Sequence, residues 1–208
     1  MSGQFLEYTD RQLEYIKEKD EKLARVIDRA GRLTRRINPD LYSALVDSII
    51  GQQISTAAHN SIRDRAREKF GLWQADKVAE IPDEELKSVG LSWRKVEYIK
   101  GITQAVVSGK LDINGLKDKD DEEVIKRLTE LKGVGRWTAE MMLTFSLARP
   151  DIISFGDLGI RRGIMKVYGL EELSEEEFHR LTDKFAPYRS VAALYFWHAA
   201  SVNFELKQ

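Results

Sequence analysis

The 208-residue chain carries 33 basic against 34 acidic side chains, a net charge of −1, so any basic surface has to be local and bulk charge points to no polyanionic partner. Hydrophobic residues at 42% and charged residues at 32% describe a globular chain long enough for one large domain or two small lobes, and exclude a disordered one. The absence of cysteine excludes a disulfide framework, an iron–sulfur cluster and a cysteine zinc site, and the three histidines (His59, His179, His198) lack metal-site spacing. The N-terminal stretch MSGQFLEYTDRQLEYIKEKDEK is too charged for a signal peptide, and no apolar run reaches membrane-spanning length.

Helical periodicity runs through the chain, with no convincing alternating strand, so the expected class is all-α with about ten helices. Leu13, Ile16, Leu23, Val26, Ile27 and Ala30 form one stripe closed by Gly31, and Leu41, Leu45, Ile49 and Ile50 a second one ended by Gly51. Ser55 is placed to cap a helix through Ile62 and Ala66 to Phe70, stopped by Gly71. Pro82-Asp83 opens a short helix ending at Gly90, and Ser92 begins a longer one through Val96, Ile99 and Val106. Asp120 or Asp121 caps a helix whose stripe is Val124, Ile125, Leu128 and Leu131; Thr138–Leu147 is apolar on most sides and reads as a buried central helix. Ser174 and Glu177 fit a capping box for a helix reaching Phe185, and Pro187 separates it from a final aromatic-rich helix over Ser190–Val202.

Between two of these helices stands LKGVGRWTAEMML, with Gly133 and Gly135 around a single valine. Glycine belongs where the backbone takes positive φ or where another group comes close. The tripeptide is therefore either a tight helix–helix turn or a loop whose backbone N–H groups face an anion at a helix start.

LKGVGRWTAEMML resembles the helix–hairpin–helix of DNA glycosylases, with Lys132 where proline is typical. DIISFGDLGIRRGI, about twenty residues on, looks like that superfamily's Gly/Pro-rich loop ending in an aspartate. LVDSIIGQQISTAAHNSI and APYRSVAALYFWH are similar to segments of its 3-methyladenine DNA glycosylase II branch. Four motifs in order over roughly Leu41 to His198 make the resemblance specific. It implies an all-helical protein of two lobes, approximately 40–155 against 1–39 with 156–208, with the active site in the cleft between them. It also implies the compact form, without the N-terminal β domain of some members.

By this resemblance Asp157 is the catalytic carboxylate, although its position at the start of a helix equally suits an N-cap, and the two roles are compatible. Breaking an N-glycosidic bond passes through an oxocarbenium-like sugar. A carboxylate beside that charge stabilises it and can also orient or deprotonate the attacking water; sequence does not separate these roles. Trp137 and Trp197, ordinary core residues by base rate, correspond to aromatic positions of the base pocket. Electron-rich ring faces favour cationic alkylated purines, at about 0.5–2 kcal/mol per contact. Where strand-cutting relatives carry a nucleophilic lysine after the hairpin, this chain has Gly135-Arg136-Trp137, so a monofunctional enzyme leaving an abasic site is expected.

Gln52 and Gln53 sit in the loop from which the family inserts a side chain into the gap left by a flipped nucleotide; Gln52 could instead hydrogen-bond nearby backbone, and which of the two touches DNA is open. Gly133 and Gly135 let the hairpin approach a phosphate, and its carbonyls, at Leu131 and Gly133, are the family's site for a monovalent Na+ or K+ when DNA is bound. Arg136, Arg161 and Arg162 are the local cations. The expected function is excision of alkylated purines such as 3-methyladenine and 7-methylguanine from double-stranded DNA in base excision repair. No required cofactor, no iron–sulfur cluster, no membrane and a monomeric state are expected with it. The compartment would be the cytoplasm near the nucleoid in a prokaryote, or the nucleus in a eukaryote. Deaminated or oxidised purines, or DNA binding without catalysis, are the alternatives.

Overall fold

The computed structural model describes residues 4–202, and these carry twelve α-helices and no β-strand. In chain order they are α1 (Asp10–Lys19), α2 (Glu21–Ala30), α3 (Leu41–Gly51), α4 (Thr56–Phe70), α5 (Ala75–Glu80) and α6 (Asp83–Ser88). Then follow α7 (Trp93–Val107), α8 (Asp121–Thr129), α9 (Arg136–Phe145), α10 (Leu158–Tyr168), α11 (Glu175–Thr182) and α12 (Arg189–Ser201). None is long and apolar enough to cross a membrane. The chain forms two compact units, residues 38–147 and, from both ends of the sequence, 1–37 with 148–208.

Residues 38–147 are organised by α3, which packs on α4, α7 and α9 and fully buries Leu45, Val46, Ile49 and Ile50. Four of its helices start where the sequence offers a capping oxygen. The side chains of Asp40, Ser55, Ser92 and Asp120 accept from the N–H groups of Ser43, Ala58, Lys95 and Glu123, satisfying donors that a helix start leaves open. Helix α5 is an addition to the expected elements. Its six residues, ADKVAE, bury only Val78 and have no side-chain cap, so no local pattern marks it. It is held from outside: Lys100 on α7 donates to the carbonyls of Val78 at 3.2 Å, Ala79 at 3.1 Å and Ile81 at 2.5 Å, at the end where the carbonyls lack partners.

In the other unit, α12 is the spine, with Tyr195, Phe196, Ala192, Ala193 and Ala199 fully buried and α1, α2 and α10 against it. Helix α10 lies so close that a Cβ at Gly163 would fall 1.9 Å from the Phe196 carbonyl oxygen. The single stripe expected from Leu13 to Ala30 is two helices, because Asp20 between them is extended, at φ −156° and ψ 111°. Its Oδ1 accepts from Leu23 N–H at 2.7 Å and starts α2. Its Oδ2 takes Tyr168 Oη at 2.8 Å and Lys184 Nζ at 2.5 Å. Helix α11 ends at Thr182 and gives way to a 3-10 turn over Asp183–Phe185. Ser174 caps it through Glu177 N–H, but the reciprocal box forms at Thr9 and Gln12 on α1 instead.

Candidate functional site

Asp157 is the N-cap of α10: its Oδ1 accepts from the Ile160 N–H at 2.8 Å, as expected of an aspartate at a helix start. The same oxygen accepts from Trp197 Nε1 on α12, also at 2.8 Å. The carboxylate is 8% exposed. Cap and candidate catalytic group are thus one side chain, and two N–H donors on one oxygen fix its plane.

Two glycines permit this arrangement. At Gly159 a Cβ would meet Trp197 Cδ1 at 2.8 Å and Asp157 Oδ1 at 3.1 Å, so any larger residue would part the pair. Gly163, one helical turn on and on the same face, lets the backbones of α10 and α12 approach. Sequence reading passed over both, although a glycine pair spaced by four in a helix costs stability unless close approach requires it. Trp197, half-buried, also lines a cavity of about 340 Å³ with Leu33, Thr34, Arg35, Leu194, His198 and Ser201. On the same unit Arg161 is half-buried, its guanidinium 4.8 Å from the centre of the Phe155 ring, and Arg162 is exposed. The Arg161 Nε and the Ser154 Oγ are buried without a hydrogen-bond partner among the described residues. Arg161 is therefore a packed side chain more than a surface cation.

The other predicted residues lie on residues 38–147. Gly133 takes φ +91°, and a Cβ there would fall 2.3 Å from Tyr98 Cδ2, so the turn needs glycine both for its torsion and for its seat on the ring. Gly135 is the N-cap of α9 at φ −94°, a torsion open to any residue, with nothing within reach of an added Cβ. Val134 N–H donates to the Leu131 carbonyl at 3.1 Å, and Gln52 Nε2 donates to the Gly133 carbonyl at 2.9 Å. Each carbonyl keeps a second lone pair with which it could accept a further ligand. Lys132, in the place of the usual proline, pairs with Glu97.

Gln53 is exposed at the tip between α3 and α4 with φ +55°, beside Ile54 at 36% exposure. Trp137, in the first turn of α9, is 42% exposed, which is unusual for a tryptophan spent on core packing. Arg136 is bound by Glu122 at 2.8 Å and Glu140 at 3.0 Å. The Glu122 hydrogen bond, against the opposing cost of burial, raises the guanidinium pKa further, so the cation is permanent and shared between two carboxylates. The structure thus joins Asp157 to Trp197 and Gln52 to Gly133. It shows Gly159, Gly163 and Ile54 as site neighbours that sequence reading did not select.

Comparison with known proteins identifies the family. Residues 46–187 match the HhH-GPD superfamily base excision DNA repair protein family. The DNA-3-methyladenine glycosylase 1 of Schizosaccharomyces pombe is 33% identical over 166 residues, 77% of this chain and 73% of that protein. A putative DNA-3-methyladenine glycosylase of Bacillus subtilis is 26% identical, and the chain spans 58% of its length. Among solved structures, a DNA-3-methyladenine glycosidase from Bacillus halodurans superposes with a TM-score of 0.83 at 35% identity, over 97% of this chain and 94% of that one. A Schizosaccharomyces pombe 3-methyladenine DNA glycosylase in complex with abasic DNA gives 0.81 at 28%, over 93% and 98%. With its fold, its hairpin and its buried aspartate at the head of α10, the chain belongs to the HhH-GPD superfamily of base excision DNA repair proteins.

Proposed function

We propose that the chain is a monofunctional DNA glycosylase that flips alkylated purines out of duplex DNA and hydrolyses their N-glycosidic bond. The observation that carries this reading is the buried Asp157 carboxylate, which lies within the residues matched by the family and is oriented by the Ile160 N–H and the Trp197 indole. A cationic base such as 3-methyladenine leaves with the bonding electron pair and becomes neutral, so no protein acid has to protonate it. Positive charge then builds on the sugar, where a fixed carboxylate in a dry setting is most effective. Water supplies hydroxide to the anomeric carbon, its proton passes to Asp157 or to solvent, and an abasic site remains. Trp197, bonded to Asp157, is the aromatic ring proposed to favour a cationic base. Arg136-Trp137 stands where a Schiff-base lysine would have to be, which favours hydrolysis without strand cleavage.

DNA is held through phosphates at the hairpin, so affinity falls as salt rises despite the near-zero net charge. A Na+ or K+ on the Leu131 and Gly133 carbonyls would add a positive charge facing a phosphate. The chemistry itself requires no cofactor, and the protein acts as a monomer. The test is base release from methylated duplex DNA by wild type and Asp157→Asn, followed by chromatography. Wild type should free 3-methyladenine or 7-methylguanine, with strand breaks only after alkali. Asp157→Asn should bind lesion DNA and turn over about 10²-fold more slowly or worse, the scale of a lost electrostatic stabiliser. Undiminished turnover in that variant removes Asp157 from the mechanism.

A further inference from the structure

We propose that Gln52 is a positioning residue: it touches no DNA itself but ties the α3–α4 loop to the hairpin, and so holds Gln53 in place to enter the gap left by the flipped base. This rests on the glycosylase reading above. The tie is the 2.9 Å bond from Gln52 Nε2 to the Gly133 carbonyl, across 81 residues of sequence. Its acceptor is fixed in direction, since Gly133 is wedged at φ +91° against the Tyr98 ring. Its donor is fixed at the backbone, since Gln52 N–H closes α3 on the Ile49 carbonyl at 3.3 Å. Lys95 Nζ holds the neighbouring Ile50 carbonyl at 2.7 Å, and Ser55 anchors the far side of the loop as the cap of α4.

The residue left at the tip is Gln53, exposed and in the left-handed region at φ +55°. That conformation is unfavourable for a non-glycine residue, and it persists only where the surroundings impose it. A loop that needed only the turn would be served better by glycine. Retaining a long amide there at a cost points to use of the side chain, and the tie is what imposes the torsion. Gln52, half-buried with one of its two amide donors spent on Gly133, is the poorer candidate for insertion.

The test is a double-mutant cycle read by affinity for duplex DNA containing a stable abasic analogue. Gln52→Met keeps length and volume but has no donor; Gln52→Asn keeps the amide but is one methylene short of the carbonyl. Each should weaken binding about fivefold in the wild-type background, the scale of one neutral hydrogen bond. The loss should fall below about twofold when Gln53→Ala is already present, because residues acting through one another are not additive. In the free protein, both variants should speed hydrogen exchange at residues 53–55 with little change in melting temperature. Equal losses in both backgrounds would assign Gln52 its own DNA contact and overturn the proposal; unchanged exchange would overturn the tie. If the wild type shows no preference for lesion DNA, the glycosylase reading fails on its own, and the exchange measurement still decides the tie.

Discussion

At the scale of single residues, the Asp157–Trp197 bond gives the tryptophan two separable properties. Its N–H fixes the carboxylate oxygen; its ring is the aromatic surface that the proposed function assigns to a cationic base. Trp197→Phe removes the first and keeps an aromatic face, so excision should slow by about tenfold on cationic and neutral bases alike. That is the low end of what a hydrogen bond to a charged group contributes. Trp197→Ala removes both and should penalise 3-methyladenine more than hypoxanthine, by the cation–π share. Single-turnover excision of the two bases separates the properties, and a Trp197→Phe enzyme as fast as wild type would leave the indole N–H without a catalytic part. The pair was half legible in advance. A helix-starting aspartate announces a cap, and the motif around it pointed to chemistry. That the second donor comes from a residue forty positions away belongs to the packing of α10 on α12.

At the scale of elements, that packing depends on Gly159 and Gly163. A methyl group at Gly163 would collide with backbone, at 1.9 Å from the Phe196 carbonyl, and backbone has no rotamer by which to give way. Gly163→Ala should therefore destabilise the protein by about 3 kcal/mol, at the upper end for overpacking, even though alanine is the better helix former. The urea midpoint would measure it; a rise in midpoint would mean that the helices are not in contact there. Gly159→Ala meets side-chain atoms instead, so its larger effect should be on turnover, through displacement of Trp197. Element boundaries were legible at several helices that a side-chain oxygen caps, as at Ser55, Ser92 and Asp120. They were illegible at α5, where the stabilising cation comes from Lys100 on another helix, and at Asp20, where an acid inside a continuous stripe breaks it.

At the scale of the whole molecule, Asp20 joins the start of α2 to Tyr168 at the end of α10 and to Lys184 beyond α11. Burial by itself would raise this carboxyl, but Lys184, the Leu23 N–H and the Tyr168 hydroxyl together outweigh it and hold the pKa below the usual range. A lowered folded value means that the carboxylate stabilises the fold fully above the unfolded pKa, about 3.9, and loses that contribution as pH falls through the folded value. Asp20→Asn should cost about 2 kcal/mol at pH 7, since it removes the carboxylate charge that the partly exposed Lys184 and the Leu23 N–H bind. The gap to wild type should stay constant down to about pH 5 and narrow as the pH falls below the unfolded pKa and on through the folded one, as followed by urea unfolding at each pH. A gap that does not change with pH would mean that Asp20 acts only as a cap.

By itself the sequence determined the all-α class, most helix starts and the set of motifs from which the glycosylase reading follows, because caps, periodicity and glycine turns are local properties of a chain. Tertiary structure alone decided that Trp197 reaches Asp157, that Gln52 rather than Gln53 is bound to the hairpin, and that Arg136 is shared between two glutamates and Arg161 packed on Phe155. Each of these turns on a distance between residues far apart in sequence or on which side chain a neighbour reaches first. Periodicity places a residue on a face of its helix, but the partner across that face is chosen by how the helices pack.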